Sequence, residues 1–181
     1  MRHDRVVTDD PADTAPPASS GEIALSSVAA EVEAHVAQAG WDQRPALFAL
    51  VRAADFARDE PETAARLGLE ADSQALTPIE QEELPAEALD EALAQIAWPP
   101  SVAGCAVAQE IVILPPSAGD IDDATTAAAH PERREARIVV AVLRDGTTSA
   151  LLRLRDTPDD LLTGPDLAPN LAQALLATLE D

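Results

Sequence analysis

The stretch from residue 135 to 155 leaves this chain the least freedom. Two runs rich in Val, Ile and Leu flank Asp145-Gly146. That dipeptide favours a two-residue type I′ turn, because both central residues take positive φ there. The segment is therefore expected to be an antiparallel hairpin. With that turn, Arg144 faces Thr147 and Val140 faces Leu151. Val139, Ala141, Leu143, Ala150, Leu152 and Leu154 then share one face, a continuous core surface. The opposite face carries Ile138, Val140, Val142 and Leu151, rimmed by Arg144, Arg153 and Arg155.

The charge layout gives this hairpin its functional interest. The chain has 33 acidic and 12 basic side chains, and a net charge of -21. Every basic residue is Arg, and half of them lie at Arg133, Arg134, Arg137, Arg144, Arg153 and Arg155. An acidic shell with one basic strand pair has a direction, which a uniformly acidic shell lacks. Arg forks bind carboxylates in bidentate fashion. The competing reading is that these arginines pair with the protein's own acids.

Other elements follow from periodicity. Leu25, Val28, Val32, Val36 and Ala39 make one apolar stripe over residues 22–39, a helix ended by Gly40. His35 lies beside that stripe. Pro45 opens the apolar run Ala46 to Val51, read as a buried strand. Short helices are expected at 53–58 and from Pro61 to Gly68. Thr77-Pro78-Ile79-Glu80 has the spacing of a capping box, so a brief helix is expected there. Leu89, Ala92, Leu93 and Ile96 fit a helix over 86–97, stopped by Trp98-Pro99-Pro100. The β-branched residues between Val102 and Leu114 predict a strand, with Gly104 marking a bulge or a close backbone approach. A connector follows, with an acidic patch at Asp120, Asp122 and Asp123 and a short Ala-rich helix near His130. Asp166 is expected to cap a last helix at about 167–180.

Together these give an α+β fold: an antiparallel twisted sheet of four or five strands, packed by N- and C-terminal helices, with a helical insert over 53–97. Those two helices are expected on one face. Residues 1–20 read as a disordered tail, rich in Pro, Asp and Ser, ahead of a single domain over 21–181. The aromatic set is only Phe48, Phe56, Trp41 and Trp98, so the core is aliphatic.

Several functions are disfavoured. Net negative charge opposes nucleic-acid binding, which needs a dense cationic footprint. No run reaches about 18 apolar residues, so no membrane insertion is expected. The N-terminus shows no secretory signal, and a cytoplasmic location is expected. His3, His35 and His130 lack zinc spacing, and Asp120-Ile121-Asp122-Asp123 lacks the EF-hand Gly and Glu, so no metal is expected. Cys105, with His130 as base, is the one nucleophile candidate. It sits in an apolar run and reads as structural. Neither catalytic nor cofactor-binding residues are identified.

Several segments resemble a family of uncharacterised proteins from high-GC Gram-positive bacteria (actinobacteria). They are Gly40 to Val51, Leu76 to Pro85, Ile96 to Pro99 with Val102 to Val107, His130 to Gly146, and Leu162 to Leu167. The resemblance spans about 22–181 and implies no activity. The order of elements is also similar to small acidic chaperones of bacterial secretion systems.

The expected function is a non-enzymatic acidic adaptor or chaperone-like module. Its partner would dock on Ile138, Val140, Leu151, Arg144, Arg153 and Arg155, the apolar strip giving affinity and the Arg rim selecting an acidic protein. Self-association through the same face is the simpler variant. The rival expectation is a small-molecule site or undetected enzyme near Trp98 and Cys105.

Overall fold

The computed structural model describes residues 16–70 and 74–180. The tail expected over residues 1–20 falls outside the described residues as far as 15. From there the chain enters helix α1 (Ser20–Ala37) directly. Ser19 caps it: its Oγ accepts from the Glu22 amide, and the Glu22 carboxylate accepts from the Ser19 amide. Such a reciprocal box satisfies two of the helix's orphan donors.

Six strands form one open antiparallel sheet in the order β2-β1-β3-β4-β5-β6. They are β1 (Ala46–Arg52), β2 (Leu76–Glu83), β3 (Gly104–Ile113), β4 (Arg134–Leu143), β5 (Thr148–Leu154) and β6 (Leu161–Thr163). The expected sheet of four or five strands thus gains β2 and the three-residue β6. The remaining helices are α2 (Ala53–Asp59), α3 (Pro61–Leu67), α4 (Leu89–Leu93), α5 (Ala124–Ala129) and α6 (Pro169–Thr178). Ala168, rather than Asp166, occupies the N-cap position of α6, because Pro169 supplies the first helical residue.

The two terminal helices lie on opposite faces, not on one. Leu25, Val28, Ala29 and Val32 of α1 pack on Phe48, Leu50, Ala106, Val139, Ala141 and Leu151. Leu171, Ala172 and Leu175 of α6 join Leu89 and Leu93 of α4 over Leu47, Ala49, Val107, Ile138, Val140 and Leu152. The central strands are apolar at successive positions rather than alternate ones, so both faces must be covered.

The segment 76–83 is a strand, and the helix expected from its capping-box spacing is absent. The expected helical insert over 53–97 therefore contains a sheet edge. The ladder explains why Pro78 is tolerated. The Leu50 carbonyl accepts from Ala103, so the Leu50 backbone points toward β3. Pro78 pairs with Leu50. The Pro78 backbone therefore points away from β1, and no ladder bond is lost to its missing N–H.

The β4–β5 hairpin also differs from expectation. Its loop is three residues, Arg144 to Gly146: Leu143 N donates to Thr147 O at 2.9 Å, and Gly146 N donates to Leu143 O at 3.0 Å. Gly146 has φ 92, which places it in the left-handed region. This is a turn followed by a glycine bulge, the common three-residue hairpin loop. Val139 therefore faces Leu151, and Val140 faces Ala150. A slip of one residue moves a strand's whole side-chain set to the other face.

Candidate functional site

The slip decides the fate of the expected docking face. Ile138 and Val140 lie under α6 and α4, whereas Leu151 lies under α1 on the other side of the sheet. All three are buried. The apolar strip expected to meet a partner is instead divided between two internal cores.

The arginines are engaged within the chain. Arg153 donates to Glu33 through Nε at 2.8 Å and Nη2 at 3.1 Å. Arg137, only 2% exposed, reaches the same carboxylate at 3.4 Å and also donates to the Gly40 carbonyl. Its guanidinium carbon lies 4.5 Å from the centre of the Trp41 ring, and that of Arg155 lies 5.4 Å from it. Arg155 forks onto Asp42 at 3.0 and 3.1 Å and reaches Glu135 at 2.9 Å. Arg134 forks onto Asp156 at 3.0 and 2.7 Å. Arg144 donates to the carbonyls of Val102, Trp98, Pro99 and Leu179, tying the loop before β3 to the end of α6. Arg133 is exposed, with no ion pair to a described residue.

The structure therefore corrects the Arg-rimmed face: Arg144, Arg153 and Arg155 are staples, not a rim. Charge-assisted contacts of this kind are strong where water is excluded. The loop after α1 is held by them. Asp42 sits at φ 66, uncommon for a residue with a side chain. Its amide and that of Gln43 donate to the Glu110 carboxylate at 3.0 and 3.2 Å. The Arg155 guanidinium holds the Asp42 carboxyl below its ordinary pKa, first through the hydrogen bond and then through its charge.

Trp98 and Cys105, placed together in the rival expectation, do meet. Trp98 Nε1 donates to Thr178 Oγ1 at 3.0 Å, and Cys105 Sγ lies 3.6 Å from the same oxygen. Cys105 is fully buried, and burial pushes its thiol up to about 11. At neutral pH it is a protonated core group rather than a nucleophile. His130 instead turns its Nδ1 toward the Glu132 amide at 3.1 Å. Among the described residues, no group of His, Cys, Asp and Glu is arranged to hold a metal ion.

The surface feature that sequence reasoning missed is β6. Gly164 N donates to Ala150 O, so even-numbered residues of β5 bond toward β6. Leu162 pairs with Leu152 and points its backbone at β5. Leu161 and Thr163 therefore turn their N–H and C=O groups to the open edge. Leu161 is 41% exposed, Leu162 52%, and nearby Leu167 37%. A sequence signal existed: an apolar pair between Asp159-Asp160 and Gly164-Pro165. It is too short to register as a strand by periodicity.

The sheet's two edges differ in kind. The outward-facing positions of β2 include Pro78, with no donor, and its exposed end carries Glu80, Glu82 and Glu83. Such an edge is blunted against strand pairing. At β6 the donors are intact and the side chains beside them are leucines.

Fold and site together define an α+β protein with an open six-stranded antiparallel sheet, covered by helices on both faces and left apolar at one edge. The chain belongs to the family described as PPA1309-like protein, whose model matches residues 25–180. No curated protein and no solved structure matches it significantly. No helix among the described residues is long and apolar enough to cross a membrane.

Proposed function

We propose that this protein is a non-catalytic adaptor or chaperone-like module that captures an extended segment of another protein on the open edge of β6. One observation carries the reading: outward N–H and C=O groups at Leu161 and Thr163 lie beside exposed Leu161, Leu162 and Leu167. An added strand gains main-chain hydrogen bonds from such an edge, and alternate side-chain positions select its sequence. Exposed leucines beside free strand donors are a liability in a monomer unless something uses them. The arginine network contributes indirectly. It fixes the α1 end and the β4–β5 pair on which β6 is built, so the edge is presented on a rigid frame.

A photo-crosslinking amino acid placed at position 162 in the native cell tests this. The expected product is a defined protein adduct, absent when the probe replaces Val112, another exposed aliphatic residue, outside this edge. It should vanish when Thr163→Pro removes one outward donor. The same adducts from both positions, or adducts indifferent to Thr163→Pro, would sink the reading.

A further inference from the structure

The ends of β6 specify what kind of strand the edge accepts. Asp159 and Asp160 precede it and Asp166 follows it, all exposed and without an ion pair to a described residue. Two cations feel two of these acids through space: Arg153 feels Asp159, and Arg134 feels Asp160. The forks of both cations are already filled, Arg153 by Glu33 and Arg134 by Asp156. Negative charge thus stands at both ends of a short apolar edge. The protein as a whole carries -21, so a second copy would bring like charge to this place.

We propose that the partner strand carries a short apolar centre with Lys or Arg on both sides of it. This rests on the β6 docking reading. In antiparallel addition, the partner residues opposite Leu161 and Thr163 exchange hydrogen bonds with them. The partner residue between these lies opposite Leu162, on the face shared with Leu152. The basic flanks then fall opposite Asp159 and Asp160 at one end and Asp166 at the other. The apolar centre supplies affinity. The flanking charges select partners and speed their encounter.

The test uses labelled peptides and fluorescence anisotropy on the full chain. The probe has a Val-Ile-Val centre flanked by paired lysines; a second has paired glutamates instead, and a third is the lysine peptide N-methylated at both valines. The lysine peptide should bind at least about tenfold tighter than the glutamate peptide, a difference that shrinks with salt. Asp159→Lys with Asp160→Lys should invert that preference. N-methylation, or Leu162→Asp in the protein, should abolish binding. Equal affinity for the two charged peptides would overturn the partner chemistry while leaving the docking edge standing. Binding that survives both N-methylation and Leu162→Asp, or no binding of any peptide, would overturn the edge itself. A doubling of mass with concentration that Leu162→Asp removes would name a second copy as the occupant and overturn the basic partner.

Discussion

Arg153 of β5 grips Glu33 of α1 through two hydrogen bonds, and Glu33 is only 4% exposed. Arg137 adds a second guanidinium to the same carboxylate, itself buried under the Trp41 ring. Three residues from three elements thus share one water-poor charge cluster. Removing one partner from such a cluster leaves a buried charge uncompensated, which costs more than the cluster contributes when whole.

Glu33→Gln should therefore destabilise the protein by about 3–5 kcal/mol. Glu31→Gln, on the exposed side of the same helix, should change stability by less than about 0.5 kcal/mol. Urea unfolding of both variants checks this. If Glu33→Gln matched Glu31→Gln, the cluster would be no staple.

Alkaline pH offers an unusually clean readout of Cys105. The chain has no Tyr and no Lys, and there is one Cys. Between about pH 8.5 and about 11, Cys105 is the only side chain that titrates over most of the range. Its folded pKa is raised to about 11 by burial. A raised folded pKa means the stabilisation is fully present below the unfolded value, near 8.5–9, and is lost as pH rises through the folded one. Stability should fall by about 2 kcal/mol across that window, and Cys105→Ala should flatten the profile. Melting temperature against pH, beside thiolate absorbance, measures both. Thiolate formation in the folded protein near neutral pH would contradict the burial.

Gly104 is held by contact rather than by backbone angle. A Cβ built there would lie 2.1 Å from the Val142 carbonyl oxygen. Gly104→Ala must push β3 from β4 and should prevent folding or cost more than about 4 kcal/mol. Gly68→Ala meets nothing within 4 Å and only strains a left-handed helix cap at φ 70, so about 1 kcal/mol is expected. Circular dichroism melts would rank the two.

Pro78 should matter for solubility rather than stability. It sits where the edge strand points away from β1. Pro78→Val restores an outward donor and adds a β-branched side chain. Stability should drop by no more than about 1 kcal/mol, through the freer unfolded chain. Light scattering at rising concentration should show new self-association. A monodisperse variant would mean that the glutamates of β2 protect the edge on their own.

Much of the secondary structure was legible in the chain. The run Ala46 to Val51 lies in β1, Gly104 to Ile113 of the run Val102 to Leu114 form β3, the stripe from Leu25 to Val36 is helical, and Gly68 ends α3 in the left-handed region. The even spread of apolar residues along these strands also carried the need for cover on both faces. Alternation in the hairpin alone predicts one covered face, whereas the unbroken apolar runs of the central strands require two. Thr77 to Glu80 misled for a different reason: Ser or Thr followed three residues later by Glu marks a helix start only when the next turn can propagate, and here β1 offered a pairing instead.

The sequence by itself determined the α+β class, the aliphatic core and the concentration of arginine near the hairpin. These depend on composition and local period, which are properties of residues and their immediate neighbours. The tertiary structure decided the register, and with it the roles of Arg153 and Arg155. One residue in the loop from Arg144 to Gly146 sends Leu151 to the face opposite Ile138 and Val140. Glu33 lies 120 residues from Arg153, and nothing local pairs them. Leu161 and Leu162 are too short an apolar run to read as a strand in sequence. They form an edge because β5 lies beside them, and no strand among the described residues pairs with the other side of β6.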